Sequence, residues 1–206
     1  MTVAPASSQT ELKVAMEPDE IEMLSRHIVA DVSYLEFGSG GSTVFALERG
    51  VRRCVSIESD PAWIDALRRD ARIQQGEREG RLSIEWADIG PVMDWGMPAN
   101  RSRIESWPNY FLSVWDRLES SPDVVLIDGR FRTACGLVSL LICPPTTAIL
   151  MHDFFDALAI RKNYRSLLDY ADIVEQQRNL VSLQRKQEAT TVKILSRLAA
   201  VWSDFA

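Results

Sequence analysis

Residues 34–43 read Tyr-Leu-Glu-Phe-Gly-Ser-Gly-Gly-Ser-Thr, and this stretch decides the fold class. The apolar run over residues 32–37 is typical of a buried strand, and it ends at the glycines. Glycine permits a tight turn and lets the backbone approach a ligand closely. Ser42 or Thr43 can cap a following helix, whose first N–H groups would face the turn. The stretch therefore predicts a strand, a turn able to bind a ligand, and a helix.

The alternation of strand and helix continues along the chain. Further strands are expected at residues 54–57, 82–86, 123–127 and 147–151. This order predicts an α/β fold with a doubly wound, mostly parallel sheet that helices cover on both faces. A late hairpin that turns at Arg178-Asn179 would add an antiparallel pair at the end of the sheet.

Helices and one irregular segment are predicted between the strands. Asp60-Pro61 offers an N-cap and a proline at the first helical position, and predicts one helix that reaches Ala71. Residues 93–108 lack periodicity, but Trp95 and Trp107 predict a loop that packs against the domain. Other helices are expected from residue 17, over 110–118, at 137–141 and over 160–170.

Composition places the chain among ordinary soluble domains. Its 206 residues (23.2 kDa) are 46% hydrophobic and 25% charged, which suits one domain over 13–206 after a flexible tail over 1–12. A net charge of -6 argues against nucleic acid as a partner. No apolar run reaches the roughly 20 residues of a membrane-spanning helix, and no signal peptide is evident. Three cysteines without a C-x-x-C pair indicate reduced thiols, so we expect a cytoplasmic protein without a membrane partner.

The glycine loop (residues 38–41) can be assigned a ligand class by exclusion. A phosphate-binding P-loop needs a lysine after its glycines, and a dinucleotide fingerprint needs a third glycine where Thr43 stands. Glu36 would repel a pyrophosphate and attract a ligand with ammonium and sulfonium groups. The alternative is a tight strand-to-helix turn without a ligand. The candidate cofactor-binding residues here are Glu36, Gly38, Ser39, Gly40 and Ser42.

Two further acids end the next strands. Glu58 lies about twenty residues beyond the loop, where an acid accepts hydrogen bonds from ribose hydroxyls. Asp88 could receive an adenine amino group. The alternatives are a solvated strand-end acid for Glu58 and a turn-capping residue for Asp88. Together with the loop, these acids indicate a nucleoside with a positively charged tail.

From residue 34 to about 186 the chain resembles the class I S-adenosylmethionine-dependent methyltransferases, and its glycine loop resembles that of bacterial methyltransferase-like proteins. Residues 34–42 resemble the first motif of this family, 56–58 its ribose-binding acid, and 126–129 its fourth motif beside the reacting centre. Residues 86–89 resemble its adenine-contacting segment, which adds Ile89 to the cofactor-binding residues. The resemblance implies S-adenosyl-L-methionine as cofactor and a Rossmann-like sheet of seven strands with an antiparallel terminal hairpin.

Acids and a histidine follow the last two parallel strands, and they are the candidate catalytic residues. Asp128 and Asp153 follow strands that should be neighbours, so their carboxylates could converge. This resembles the cation-dependent O-methyltransferases and suggests a Mg²⁺ site, although His152-Asp153 stands where that group usually has Asp-Asn. His152 is an alternative general base, or a histidine that bonds a neighbouring loop.

Arg130 and Arg132 follow Asp128 and could bind an anionic acceptor. Alternatively they neutralise Asp128 or other acids. We expect methyl transfer to oxygen of a small-molecule or saccharide acceptor. The other hypotheses are an adenosyl-cofactor transferase of the aminopropyl type and a non-catalytic S-adenosylmethionine-binding protein. The oligomeric state is left open, with a dimer as one option.

Overall fold

The computed structural model describes residues 12–155 and 163–206. Nine strands lie in this part of the chain: β1 (Ser33–Phe37), β2 (Arg53–Glu58), β3 (Leu82–Trp86), β4 (Val92–Met93), β5 (Met97–Pro98), β6 (Val124–Ile127), β7 (Ala148–Met151), β8 (Ala171–Gln177) and β9 (Leu180–Arg185). The α-helices there are α1 (Pro18–His27), α2 (Gly41–Glu48), α3 (Pro61–Leu67), α4 (Ala71–Arg78), α5 (Pro108–Leu112), α6 (Arg132–Ile142) and α7 (Thr191–Val201).

Seven of the strands form one sheet in the order β3-β2-β1-β6-β7-β9-β8. All neighbours pair in parallel except at β9, which runs antiparallel to both β7 and β8. The predicted seven-stranded, mostly parallel sheet with a terminal hairpin is therefore confirmed. The strands β4 and β5 form a separate two-stranded hairpin.

Two hydrophobic clusters cover the two faces of the sheet. Alternate residues of β1 point to opposite faces, so Leu35 belongs to one cluster and Tyr34 to the other. The first cluster packs under α5, α6 and α7, and the second under α1 to α4. Helices on both faces leave the ends of the strands as the accessible edges of the sheet.

Two local predictions were wrong. The single helix after Asp60-Pro61 is two helices, because the Asp70 side chain accepts the N–H of Arg72 and begins α4. In the irregular segment Trp107 is fully buried, as predicted, but Trp95 is 85% exposed at the turn between β4 and β5.

Other parts of the prediction fall partly outside the described residues. These are the tail predicted over 1–12 and the helix predicted over 160–170. Within the described part of the second range, Tyr164–Asp169 form a 3-10 helix. Within 12–155 and 163–206 no helix has the length and apolar character that crossing a membrane requires.

Candidate functional site

Four strand ends meet at one edge of the sheet. The hydrogen-bond ladder continues past the strands, because the N–H of Asp128 donates to Phe37 O at 3.0 Å and the N–H of His152 to Ile127 O at 3.1 Å. The strand order places β2, β1, β6 and β7 side by side. Glu58, the glycine loop, Asp128 and His152 therefore share this edge, which is where open parallel sheets bind ligands.

The glycine loop lies against the end of β6. Gly38 has a φ of +99°, and a Cβ built on it would lie 2.6 Å from Gly129 Cα. A Cβ on Gly129 would in turn lie 2.8 Å from Gly38 Cα and overlap the Tyr110 hydroxyl. Two glycines thus allow the ends of β1 and β6 to approach more closely than any side chain would permit.

The outer part of the loop is open. A Cβ on Gly40 would meet nothing within 4 Å, whereas a Cβ on Gly41 would overlap the carbonyl of Lys13. Because Gly40 has a φ of 170°, neither its backbone nor its packing in the described structure requires glycine. The space beside Gly40 is room that a ligand can take.

The side chain of Glu36 is fully buried and accepts four hydrogen bonds from hydroxyl groups. Its Oε2 accepts the hydroxyls of Tyr34 at 2.8 Å and Ser42 at 2.7 Å. Its Oε1 accepts the hydroxyls of Ser56 at 2.7 Å and Thr43. Burial raises the pKa of Glu36, and the four hydroxyls offset part of this rise. The carboxylate thus ties the first turn of α2, directly after the glycine loop, to β1 and β2, and direct contact with a cofactor stays a prediction.

Glu58 is buried at the end of β2 and also holds the loop. Its Oε1 accepts the N–H groups of Ser59 at 2.7 Å and Asp60 at 3.0 Å. Its Oε2 accepts the N–H of Ser39 at 3.2 Å. Burial raises the pKa of Glu58, although these N–H groups act to lower it. The single hydrogen bond on Oε2 leaves acceptor capacity for a ligand hydroxyl.

Asp88 and Ile89 follow β3. Asp88 Oδ1 accepts the N–H of Gly90 at 2.9 Å, and Oδ2 lies 3.3 Å from Arg103 Nη2. Ile89 is buried, and its carbonyl accepts the indole N–H of Trp107 at 3.1 Å. Asp88 thus has the turn-capping contact considered as the alternative, and contact of either residue with adenine stays a prediction.

Arg132 links the ends of β6 and β7, and its side chain is 3% exposed. Nη2 lies 3.1 Å from Asp128 Oδ1 and donates to the Asp128 carbonyl at 2.8 Å. Nη1 donates to Asp153 Oδ2 at 3.0 Å and to the His152 carbonyl at 2.7 Å. Nε donates to the Gly129 carbonyl at 3.0 Å. These contacts favour the interpretation that Arg132 neutralises acids over the interpretation that it binds an acceptor.

His152 lies between two carboxylates. Its Nδ1 is 3.1 Å from Asp128 Oδ1, and its Nε2 is 3.4 Å from Oε2 of the buried Glu20 in α1. Burial lowers the pKa of His152, but the hydrogen bond and charge of Asp128 outweigh it, and the net shift is upward. Both ring nitrogens therefore already lie beside a protein carboxylate. The geometry therefore favours a satisfied histidine over a general base.

One carboxylate oxygen of Asp128, Oδ2, is available to bind a ligand. Its contacts with Arg132 and His152 both fall on Oδ1, and Oδ2 makes no hydrogen bond within residues 12–155 and 163–206. The side chain is 26% exposed. Burial would raise the pKa of Asp128, but the charges of Arg132 and His152 hold it below its ordinary value. Asp128 is therefore an ionised hydrogen-bond acceptor at neutral pH.

The residues predicted to hold Mg²⁺ do not fit that ion. Ligand atoms of Asp128, His152 and Asp153 do lie within 4.8 Å of one another. However, Arg132 already pairs with both carboxylates, and Nδ1 of His152 lies 3.1 Å from Asp128 Oδ1. A divalent ion would add positive charge beside a buried guanidinium. No step through a metal follows from this arrangement.

Tyr110 is a site residue that the sequence analysis missed. Its hydroxyl accepts the N–H of Arg130 at 3.2 Å and lies against Gly129. Burial, together with the charge of Glu58, raises its pKa well above the ordinary value. The phenol thus lies at the end of β6, yet no motif or spacing singles it out. For Arg130, a side-chain role in acceptor binding stays a prediction.

The arrangement is similar to solved structures. A methyltransferase-like protein from Silicibacter pomeroyi is 30% identical with a TM-score of 0.75, and the match covers 94% of this chain and 98% of that one. The O-methyltransferase of Bacillus cereus, in complex with SAH, is 13% identical with a TM-score of 0.53, over 89% and 83% of the two chains. The C-terminal domain of precorrin-6Y C5,15-methyltransferase from Rhodobacter capsulatus is 14% identical with a TM-score of 0.51, over 84% and 88%. No protein-family model and no curated protein matches the chain.

These similarities place the chain. It belongs to the class I S-adenosylmethionine-dependent methyltransferases, because a methyltransferase-like protein of known structure is 30% identical to it over 94% of this chain. Within them it belongs with the methyltransferase-like proteins, since the Silicibacter pomeroyi protein is similar over nearly its whole length. The two structures of lower identity show a shared fold.

Proposed function

We propose that this protein is an S-adenosylmethionine-dependent methyltransferase that methylates an oxygen of a small-molecule or saccharide acceptor. One arrangement carries the proposal: the glycine loop is open at Gly40, and Glu58 and Asp128 lie on either side of it along the same edge. The three free cysteines agree with the proposed cytoplasmic location.

The residues of the loop fit an adenosyl cofactor. The open space beside Gly40 gives the ligand room, and the remaining acceptor capacity of Glu58 Oε2 suits a ribose hydroxyl. S-adenosylmethionine, when bound, supplies a sulfonium methyl group for direct displacement. Glu36 acts indirectly, because it holds the hydroxyls of Ser42 and Thr43 in the first turn of α2, and Thr43 in turn accepts the N–H of Gly40 in the loop.

At the end of the neighbouring strand β6, Asp128 binds the acceptor. Its Oδ2 accepts a hydrogen bond from the acceptor hydroxyl and thereby orients the acceptor oxygen. Correct positioning of the reacting groups supplies much of the rate acceleration. The same oxygen can take the proton as the hydroxyl reacts. Because Arg132 already pairs with both Asp128 and Asp153, these acids are less available to a polyamine, which disfavours aminopropyl transfer.

S-adenosylhomocysteine is expected to bind the wild-type protein and to raise its Tm. Binding to the folded state alone stabilises by about 2.7 kcal/mol at a ligand concentration of about 100 Kd. For a domain of this size that amounts to roughly 5–10 °C. Calorimetry and a thermal melt measure both effects, with ATP as a control ligand whose phosphates Glu36 and Glu58 disfavour. An unchanged melting curve at saturating S-adenosylhomocysteine would contradict the proposed cofactor.

Glu58→Gln is expected to lower the affinity for S-adenosylhomocysteine by roughly tenfold or more, because a charged hydrogen bond to ribose contributes about 1.5–3 kcal/mol. Glutamine keeps the shape of the side chain and disturbs the loop less than alanine, which would leave three backbone N–H groups without their acceptor. Glu85→Gln, in β3, is the matched control. Equal affinities for wild type and Glu58→Gln would place the ribose elsewhere.

A further inference from the structure

Two carboxylates from neighbouring strand ends converge on a guanidinium. Asp128 follows β6, Asp153 follows β7, and Arg132 lies between them with N–O distances of 3.1 and 3.0 Å. A buried charge is tolerated only when it is paired and its hydrogen-bonding groups are satisfied. The guanidinium meets both conditions, since Nε, Nη1 and Nη2 all donate to protein oxygens. It is therefore a fixed part of the site.

The backbone beside this cluster is held in an unfavourable conformation. Phe131, directly before Arg132, has a φ of +53°, and Asp153 has a φ of +59°. Left-handed backbone is uncommon for residues other than glycine, and least favourable for bulky ones. Such residues persist where the surrounding structure holds them, and they concentrate at functional sites. Here the turn at Phe131 lets α6 begin at Arg132, beside the strand ends.

Arg132 already places a positive charge between the carboxylates of Asp128 and Asp153. Three carboxylates, those of Asp128, Asp153 and Glu20, face the guanidinium and the imidazole of His152. The ligand atoms are close enough together for a divalent ion, but the guanidinium of Arg132 already pairs with the carboxylates of Asp128 and Asp153. The distances alone would therefore suggest a metal centre, and the charges oppose it.

We propose that Arg132 is the resident cation of this site, where it takes the place of a divalent metal and holds Asp128 with only Oδ2 facing the acceptor. Arg132 is thus a positioning residue that acts through Asp128. The role of Asp128 Oδ2 toward the acceptor rests on the proposed methyl transfer, whereas the inference that Arg132 keeps a divalent metal out of the site does not.

A resident guanidinium and a bound metal select different acceptors. A divalent metal orients an acceptor through its own coordination positions, and two neighbouring oxygens can occupy two of them. A carboxylate oxygen is satisfied by one donor group and does not require a second one beside it. We therefore expect acceptors that present one hydroxyl to Asp128, with no requirement for a pair of adjacent oxygens.

The test is a titration with Mn²⁺, which prefers the same carboxylate ligands as Mg²⁺ and is read by electron paramagnetic resonance. Arg132→Met removes the charge, and Arg132→Lys keeps it but loses the planar fork. Arg117→Met is the matched control, because it removes an exposed arginine that pairs with Glu85. Wild type, Arg132→Lys and Arg117→Met are expected to leave the free-ion signal unchanged at millimolar Mn²⁺. Arg132→Met is expected to bind Mn²⁺ at least tenfold more tightly than the wild-type protein does.

Three outcomes would overturn the proposal. The first is Mn²⁺ binding by wild type that Asp128→Asn abolishes. The second is a folded Arg132→Met that binds no Mn²⁺, and the third is Arg132→Lys binding as much as Arg132→Met. If circular dichroism shows that Arg132→Met does not fold, the wild-type and Arg132→Lys titrations decide. S-adenosylhomocysteine calorimetry on the same samples is independent, because its failure contradicts the proposed function and leaves the metal result standing.

Discussion

Gly38→Ala is expected to lower the free energy of unfolding by roughly 2–5 kcal/mol and to abolish cofactor binding. Alanine would be strained at a φ of +99°, and its Cβ would lie 2.6 Å from Gly129 Cα, where backbone and not a flexible side chain has to move. Left-handed backbone costs about 1–2 kcal/mol and overpacking about 1–3 kcal/mol. For this chain length the Tm falls by on the order of 10 °C. Thermal melts and S-adenosylhomocysteine calorimetry measure the two effects.

Gly40 provides the matched comparison in the same loop. Gly40→Val is expected to leave the Tm of the unliganded protein nearly unchanged, because a Cβ there meets nothing within 4 Å. It should nevertheless block S-adenosylhomocysteine, since the side chain would take the room that the ligand needs. A Gly38→Ala protein as stable as wild type would contradict the close approach of β1 and β6. Normal binding by Gly40→Val would show that the cofactor lies elsewhere.

Asp128→Asn is expected to lower turnover by roughly 10²–10⁴-fold, the range for losing a positioned general acid or base. The variant should fold and bind S-adenosylhomocysteine normally, because Asp128 is proposed to contact the acceptor and not the cofactor. It should also be less stable, since Arg132 loses one of its two carboxylates. Asp153 still pairs with Arg132, so the loss should fall below the about 3–5 kcal/mol of a fully broken buried pair.

The measurements are turnover with an acceptor found by screening, chemical unfolding and calorimetry. Asp123→Asn is the control, because it removes an exposed acid at the opposite end of β6. Full activity in Asp128→Asn would remove Asp128 from the reacting centre. An Asp128→Asn protein that is simply unfolded would show that the carboxylate serves the ion pair alone.

Local patterns were sufficient for most of the fold. Apolar runs that end near glycine or acid predicted the five parallel strands of the main sheet, because a fully buried parallel strand needs continuous apolar residues. The break between α3 and α4 was missed, since Asp70 within a helical pattern reads as a solvated side chain until its cap to Arg72 is seen. The exposure of Trp95 was missed because a tryptophan in an irregular segment is usually packed.

The sequence by itself determined which residues stand at the ligand-binding edge, because a parallel sheet brings the ends of its strands together wherever they lie in the chain. Only the tertiary structure decided which of these side chains are already paired. Arg132 meets Asp153 and His152 meets Glu20 across 21 and 132 positions of sequence, which no local pattern encodes. Those long-range contacts occupy Arg132 and His152 and leave Oδ2 of Asp128 available, because a buried charge must find its partner inside the fold.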